Sequence, residues 1–243
     1  IAGLINEFCQ ASTQLLIFSY KQWLAYADVD PFNLIVENGL SAIIWLHSSI
    51  REAAFIARLE ERGFKQVILN RRSLGLSCPA VLQDERGMVT DIVGRMSPEE
   101  FDNYLVIVGD PSLSPYQERF SALKKLLDER KKFFQERVLQ LPEAPYPPWT
   151  AGIIQEHLEK FKPKLVLDFV GYVERIAGVL KRDSGKLQPR CVSVLAPNGW
   201  DHPQPFNYDY YTFDLLLAGK HVSQMLKGDI KILMLPFIYH PSK

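Results

Sequence analysis

Tyr104-Leu-Val-Ile-Val108 is the run that decides the fold: five apolar residues in succession, closed by Gly109-Asp110 and followed by a long amphipathic stretch, Ser114–Arg137. An unbroken apolar run this short suits a strand covered by helices on both faces, and the stretch behind it suits the crossover that a parallel neighbour requires. The same unit recurs outward from it. Ala42–Leu46, Gln66–Leu69, Lys164–Asp168 and Val192–Ala196 are comparable runs, with shorter ones at Ala80–Gln83 and Val138–Leu141. Helical patterns lie at Ile50–Arg62, which Gly63 closes, at Arg86–Met96, at Thr150–Phe161 and at Tyr172–Lys181. Towards the start, Leu4, Ile5, Phe8 and Cys9 fall at helical spacing, Gln14–Phe18 has the character of a strand, and Asp30-Pro31 opens a helix that Asn38-Gly39 stops. Arg71–Pro79 is a loop, and the proline-rich Leu141–Trp149 is a loop inside a continuing series, not a linker. The expected class is α/β: two lobes, each a parallel sheet flanked by helices. Such sheets present their ligand chemistry at the carboxyl ends of the strands.

Bulk properties agree with an ordinary globular chain: 243 residues, 47% hydrophobic and 23% charged. Lys and Arg number 28 against 28 Asp and Glu, which argues against a surface that neutralises nucleic-acid phosphates within this segment. Cys9, Cys78 and Cys191 are an odd number without short spacing, so neither a disulfide framework nor a zinc cluster is expected, and a reducing, cytoplasmic compartment fits. The chain opens inside a helix-like pattern with no basic, signal-like segment, so its first residue reads as cut from something longer.

Several stretches, in order along nearly the whole chain, resemble the effector-binding core of the LacI/GalR (lactose and galactose repressor) family of bacterial transcription regulators. Leu40-Ser-Ala-Ile-Ile-Trp-Leu46 is similar to that family's "DGIIL", Phe64-Lys-Gln-Val-Ile-Leu-Asn-Arg71 to "IPVVLINR", and Val81-Leu-Gln-Asp-Glu-Arg-Gly87 to "VxxDNxxG". Arg119-Phe-Ser-Ala-Leu-Lys-Lys-Leu-Leu127 resembles "RxxGFxxAL" with Ala122 for glycine. Tyr211-Thr-Phe-Asp214, a helix, and Leu235-Pro-Phe-Ile-Tyr-His-Pro-Ser242 resemble "TTVxQ" and "LPxxLVxRxS". The resemblance implies a fold like the type I periplasmic binding proteins, with three interlobe crossovers and an effector held between the lobes. Mapped onto this chain, the first lobe is expected at 1–101 and 208–227 and the second at 102–207 and 228–243. A DNA-binding headpiece, helix-turn-helix or winged helix, would precede residue 1. The sequence departs from the sugar-sensing pattern where Tyr172-Val173 replaces an Asn-Asp pair and Ala196-Pro-Asn-Gly199 replaces "GFDD". Lost charge-assisted bonds to hydroxyls, each worth about 1.5–3 kcal/mol, leave the effector's identity open.

The candidate contacts sit where strands end. Arg119 opens a helix and matches the family's effector arginine; the plain alternative is a solvated charge beside Glu118. Asp110, Asp168 and Asn198 lie at or just past strand ends, where capping and turn formation are the competing roles. His47 and Ser48 follow the strand Ala42–Leu46, Asn70 and Arg71 follow Gln66–Leu69, and Asp84 follows Ala80–Gln83. Trp200 and Tyr172 offer flat faces that stack on a sugar ring, against the commoner role of an aromatic as core. The Tyr208-Asp-Tyr-Tyr211 cluster is expected to form the return crossover. His157 lies on a charged helix face between Glu156 and Glu159, better suited to solvent than to a metal. Neither a Gly-x-Ser-x-Gly elbow, a His-Glu-x-x-His pair, a phosphate loop nor a Gly-x-Gly-x-x-Gly fingerprint occurs. The expectation is therefore a non-enzymatic, cofactor-free ligand sensor that dimerises, in part through Leu215–Leu217 and Met225–Leu226, and acts on DNA through its headpiece. The alternative is a free-standing solute-binding protein serving a transporter.

Overall fold

The computed structural model describes residues 39–46, 50–70, 75–111, 114–142, 147–182, 188–194, 208–228 and 232–242, together with Asn33, Ile35 and Glu37. The chain divides into two compact units, one comprising the sequence up to Gln83 with Asp214–Leu235, the other Asp84–Phe213 with Pro236–Lys243.

In the first unit β1 (Ile43–Trp45), β2 (Gln66–Asn70), β3 (Ala80–Gln83) and β9 (Ile232–Leu235) form a sheet in the order β1-β2-β3-β9, parallel throughout. Helix α1 (Ile50–Glu61) makes the crossover from β1 to β2. Gly63 stops it: at φ 71° the chain turns left-handed, and the Gly63 and Phe64 N–H groups donate to the carbonyls of Glu60 and Leu59. Ile56 of α1 is fully buried with Ile68, Leu76, Cys78 and Ala80, and Trp45 and Leu82 pack against them.

The second unit holds a six-stranded sheet in the order β10-β8-β7-β6-β4-β5. Its strands are β4 (Tyr104–Val108), β5 (Val138–Gln140), β6 (Leu165–Asp168), β7 (Arg190–Val194), β8 (Tyr208–Phe213) and β10 (Phe237–His240). Every pairing is parallel except the edge strand β10, which runs antiparallel to β8. All five residues of β4 are buried because alternate side chains serve two cores. Tyr104, Val106 and Val108 join Met88, Val89, Ile92 and Val93 of α2 (Glu85–Gly94) and Leu123 and Leu127 of α4 (Ser114–Glu129). Leu105 and Ile107 point the other way, to Ile154 and Leu158 of α5 (Thr150–Phe161) and Ile176 and Val179 of α6 (Val173–Arg182). This two-sided cover is what the unbroken apolar run required.

The unit boundaries differ from the expected 101/102, 207/208 and 227/228. The chain leaves the first unit between Gln83 and Asp84, returns between Phe213 and Asp214, and leaves again between Leu235 and Pro236. Side-chain burial and strand pairing set these points. The apolar face of α2 belongs to the β4 core, β8 is a paired strand beside β7 and not a return crossover, and β9 completes the first sheet against β3. Two element readings also change. The helix expected over Ser114–Arg137 ends at Glu129, where Lys131 takes φ 55° and the Lys132 N–H donates to Leu127 O; a 3-10 turn, Gln135–Arg137, follows. A short helix, α3 (Pro98–Asp102), is set by a capping box in which Ser97 and Glu100 bond each other's backbone N–H. Helix α7 (Leu215–Lys227) is capped by Asp214, whose side chain accepts from Leu217 N at 2.9 Å. The expected strand Gln14–Phe18 and the helices around Leu4–Cys9 and from Asp30 lie outside the described residues.

Candidate functional site

The carboxyl ends of β4, β5 and β6 bring together three turns of the second unit, each leading into a helix start. From β4 the chain passes through Gly109 and Asp110 towards α4. Gly109 is required by packing, since a Cβ there would lie 2.7 Å from the buried Tyr116 ring. One turn later Arg119 enters the same layer. It is 1% exposed and makes a bidentate pair with Glu85, the first residue of α2: Nε donates to Oε2 at 2.5 Å and Nη2 to Oε1 at 2.9 Å. Its Nη1 donates to the Phe169 carbonyl at 2.7 Å, which ties α4 to the end of β6. The plain alternative for Arg119, a solvated charge beside Glu118, does not describe this arrangement, for the side chain is buried.

Asp168 closes β6 and is completely buried. One carboxylate oxygen accepts from the N–H groups of Val170 and Gly171 at 3.1 and 2.9 Å, and the other accepts from Ser193 Oγ at 2.9 Å across the ladder to β7. Burial pushes its carboxyl above the ordinary range, against the opposing pull of the Tyr172, Val170 and Gly171 N–H groups and the Ser193 hydroxyl. Gly171, at φ 97°, lets the chain reverse over that carboxylate into α6. Tyr172 is also fully buried; its hydroxyl donates to the Pro142 carbonyl at 2.6 Å and holds the β5 and β6 ends together, so the ring is core and not a stacking face.

Among the described residues at these turns, Asp110 and Trp149 offer a polar and an aromatic side chain to solvent. Asp110 is exposed, and Trp149, next to the start of α5, is 53% exposed. Sequence reading passed over Trp149 because it closes the proline-rich loop, although a large aromatic directly before a helix behind a strand is the signal that marks it. It also passed over Glu85 and Ser193, whose partners lie 34 and 25 residues away. Of the remaining candidates, Asn70 ends β2 in the first unit, in register with Leu82, and Asp84 caps α2 by accepting from Gly87 N at 2.9 Å. His47, Ser48, Arg71, Asn198 and Trp200 lie outside the described residues, as does the side chain of Asn70. Among the described residues no group of three His, Cys, Asp or Glu side chains is placed to hold a metal ion, and no helix is long and apolar enough to cross a membrane.

Searches against family profiles and against curated proteins return no match. Solved structures do match, end to end. A LacI family transcriptional regulator from Bifidobacterium animalis subsp. lactis superposes with a TM-score of 0.76 at 16% identity, over 100% of this chain and 90% of its own. A LacI family regulator from Enterococcus faecium with bound ribose gives 0.67 at 14% identity over 99% and 90%. An ABC transporter solute binding protein from Agrobacterium vitis with bound allitol gives 0.76 at 14% identity over 99% and 88%. The fold is that of type I periplasmic binding proteins. The resemblance of the ordered motifs to LacI/GalR cores thus extends to the arrangement of strands and helices, including the parallel sheets and the three passages of the chain between its units.

Proposed function

We infer that this chain is the ligand-sensing and dimerisation domain of a bacterial transcription regulator, cytoplasmic and without catalytic activity. A small polyhydroxyl effector is held at the strand ends and alters DNA binding by an attached headpiece. The observation that carries this reading is the end-to-end correspondence with regulator cores, one of them holding ribose, in a chain whose ordered motifs resemble the same family. Exposed Trp149, before α5, offers a flat apolar surface for the C–H edges of a sugar-like ligand, and exposed Asp110, after β4, offers a polar group. No bond is made or broken; effector binding favours one conformation of the dimer, which sets the spacing of the two headpieces. For the dimer, the support is a set of exposed apolar side chains in the first unit: Leu216 at 64% and Leu217 at 38% on α7, Ile232 at 47% and Met234 at 45% on β9. Met225, expected at the same interface, is core.

The test is a fluorescence and thermal-shift titration with pentoses, hexoses and alditols. Binding by a member of the panel should alter tryptophan emission and raise the melting point by mass action. Trp149→Phe should abolish the emission change, and Trp149→Ala should weaken binding by roughly 10-fold. A panel with no binder overturns the reading. The likeness to a solute-binding protein holding allitol supports a second reading, a transporter's binding protein, which predicts the same titration with a monomer.

A further inference from the structure

Glu85 is a buried ionisable group for which the binding of a neutral polyol has no evident use. It is 3% exposed, it begins α2, and both of its carboxylate oxygens are taken by Arg119. A guanidinium is the side chain best shaped to grip a carboxylate or phosphate through two parallel bonds. Here that grip is closed on an internal carboxylate, and a third N–H is held by Phe169 O. The pair is neutral as a unit, and it lies between Asp84, which precedes Glu85, and the end of β6, where Phe169 follows Asp168. An anionic ligand reaching Arg119 would have to displace Glu85 and leave a buried carboxylate without its counter-charge; an uncharged polyol moves no charge when it binds nearby.

We propose that Glu85, acting through Arg119, restricts the strand-end site to uncharged polyhydroxyl ligands and rejects sugar acids and sugar phosphates. The proposal rests on the sensing function put forward above. Glu85 is a positioning residue in this scheme: it touches the arginine, and its effect on the ligand is a built-in repulsion.

The test is calorimetric titration of the whole chain with matched pairs, ribose against ribose 5-phosphate and galactose against galactonate. In the wild type each charged member should bind at least about 100-fold more weakly than its neutral partner. In Glu85→Gln that gap should shrink below about 10-fold, because Arg119 is then available to the anion. Glu85→Asp, which keeps the charge, should retain the gap. Equal or tighter binding of the charged member by the wild type overturns the proposal, and so does an unchanged gap in Glu85→Gln. Melting in inorganic phosphate tests the charge claim without any sugar: Glu85→Gln should gain several degrees more than the wild type, and equal gains overturn it. If no neutral polyol binds while that phosphate gain persists, the sensing function fails and the role of Glu85 stands. If Glu85→Gln does not fold, the wild-type matched pairs decide.

Discussion

Arg119 and Glu85 show what a buried ion pair requires of its partners. Two charges at 1% and 3% exposure are tolerable only because each is the other's hydrogen-bond partner in a bidentate arrangement. Arg119→Met should therefore destabilise the chain by about 3–5 kcal/mol, by stranding the carboxylate, while Arg119→Met with Glu85→Met should recover much of that loss. Urea unfolding of the single and double variants measures the coupling. Asp168 makes the fold sensitive to pH. Its folded carboxyl is shifted upward by burial, so between its ordinary value of 3.8 and the raised value the folded chain binds more protons than the unfolded one, and stability falls as pH rises through that window. Asp168→Asn keeps an acceptor for Val170 and Gly171, carries no charge, and should flatten this dependence and raise stability at pH 7. Melting curves from pH 3 to 8 provide the comparison.

Helix ends and turns are where local chemistry is easiest to test. Helix α5 terminates at Lys162, a residue other than glycine held at φ 44° and ψ 54°. Its position is enforced from outside the helix: the Lys162 carbonyl accepts from Asn103 Nδ2 at 2.9 Å, and the Lys162 N–H caps Leu158 O. Because a left-handed backbone suits glycine, Lys162→Gly should stabilise the chain by about 0.5–1 kcal/mol, read as a rise in melting temperature. Lys131 takes the same conformation at the end of α4 and explains why a helical pattern that continues to Arg137 does not become helix beyond Glu129. Phe133 packs against the β4 core instead, and the Tyr104 hydroxyl bonds both Lys132 O and Phe134 N, so a tertiary contact outcompetes another turn of helix.

For the whole molecule, three passages of the chain divide it into two units that each own a sheet and a core. The last segment is anchored within the second unit: Asp209, buried, accepts from Ser242 N at 2.8 Å and from Arg190 Nε at 2.8 Å, and Arg190 also reaches Glu100 at 3.2 Å. Assembly is expected to cover the exposed Leu216, Leu217, Ile232 and Met234. Sedimentation at micromolar concentration should give twice the 27.8 kDa chain mass, and Leu216→Glu should return it to the single-chain mass. A wild-type monomer would favour the transporter reading.

The amino-acid sequence by itself determined the elements that arise from short-range pattern. Uninterrupted apolar runs such as Tyr104–Val108 became doubly covered parallel strands, 3.6-residue periodicity became the helices between them, and Gly63 ended α1 where a left-handed turn was needed. The fold class followed, because such runs bury both faces in few architectures. Only the tertiary structure decided where the chain changes units, that Tyr208–Phe213 and Phe237–His240 pair as strands, that Tyr172 is core, and that Arg119 is bound to Glu85. Those outcomes depend on partners tens of residues apart, and spacing within one element carries no information about which distant side chain will share its burial.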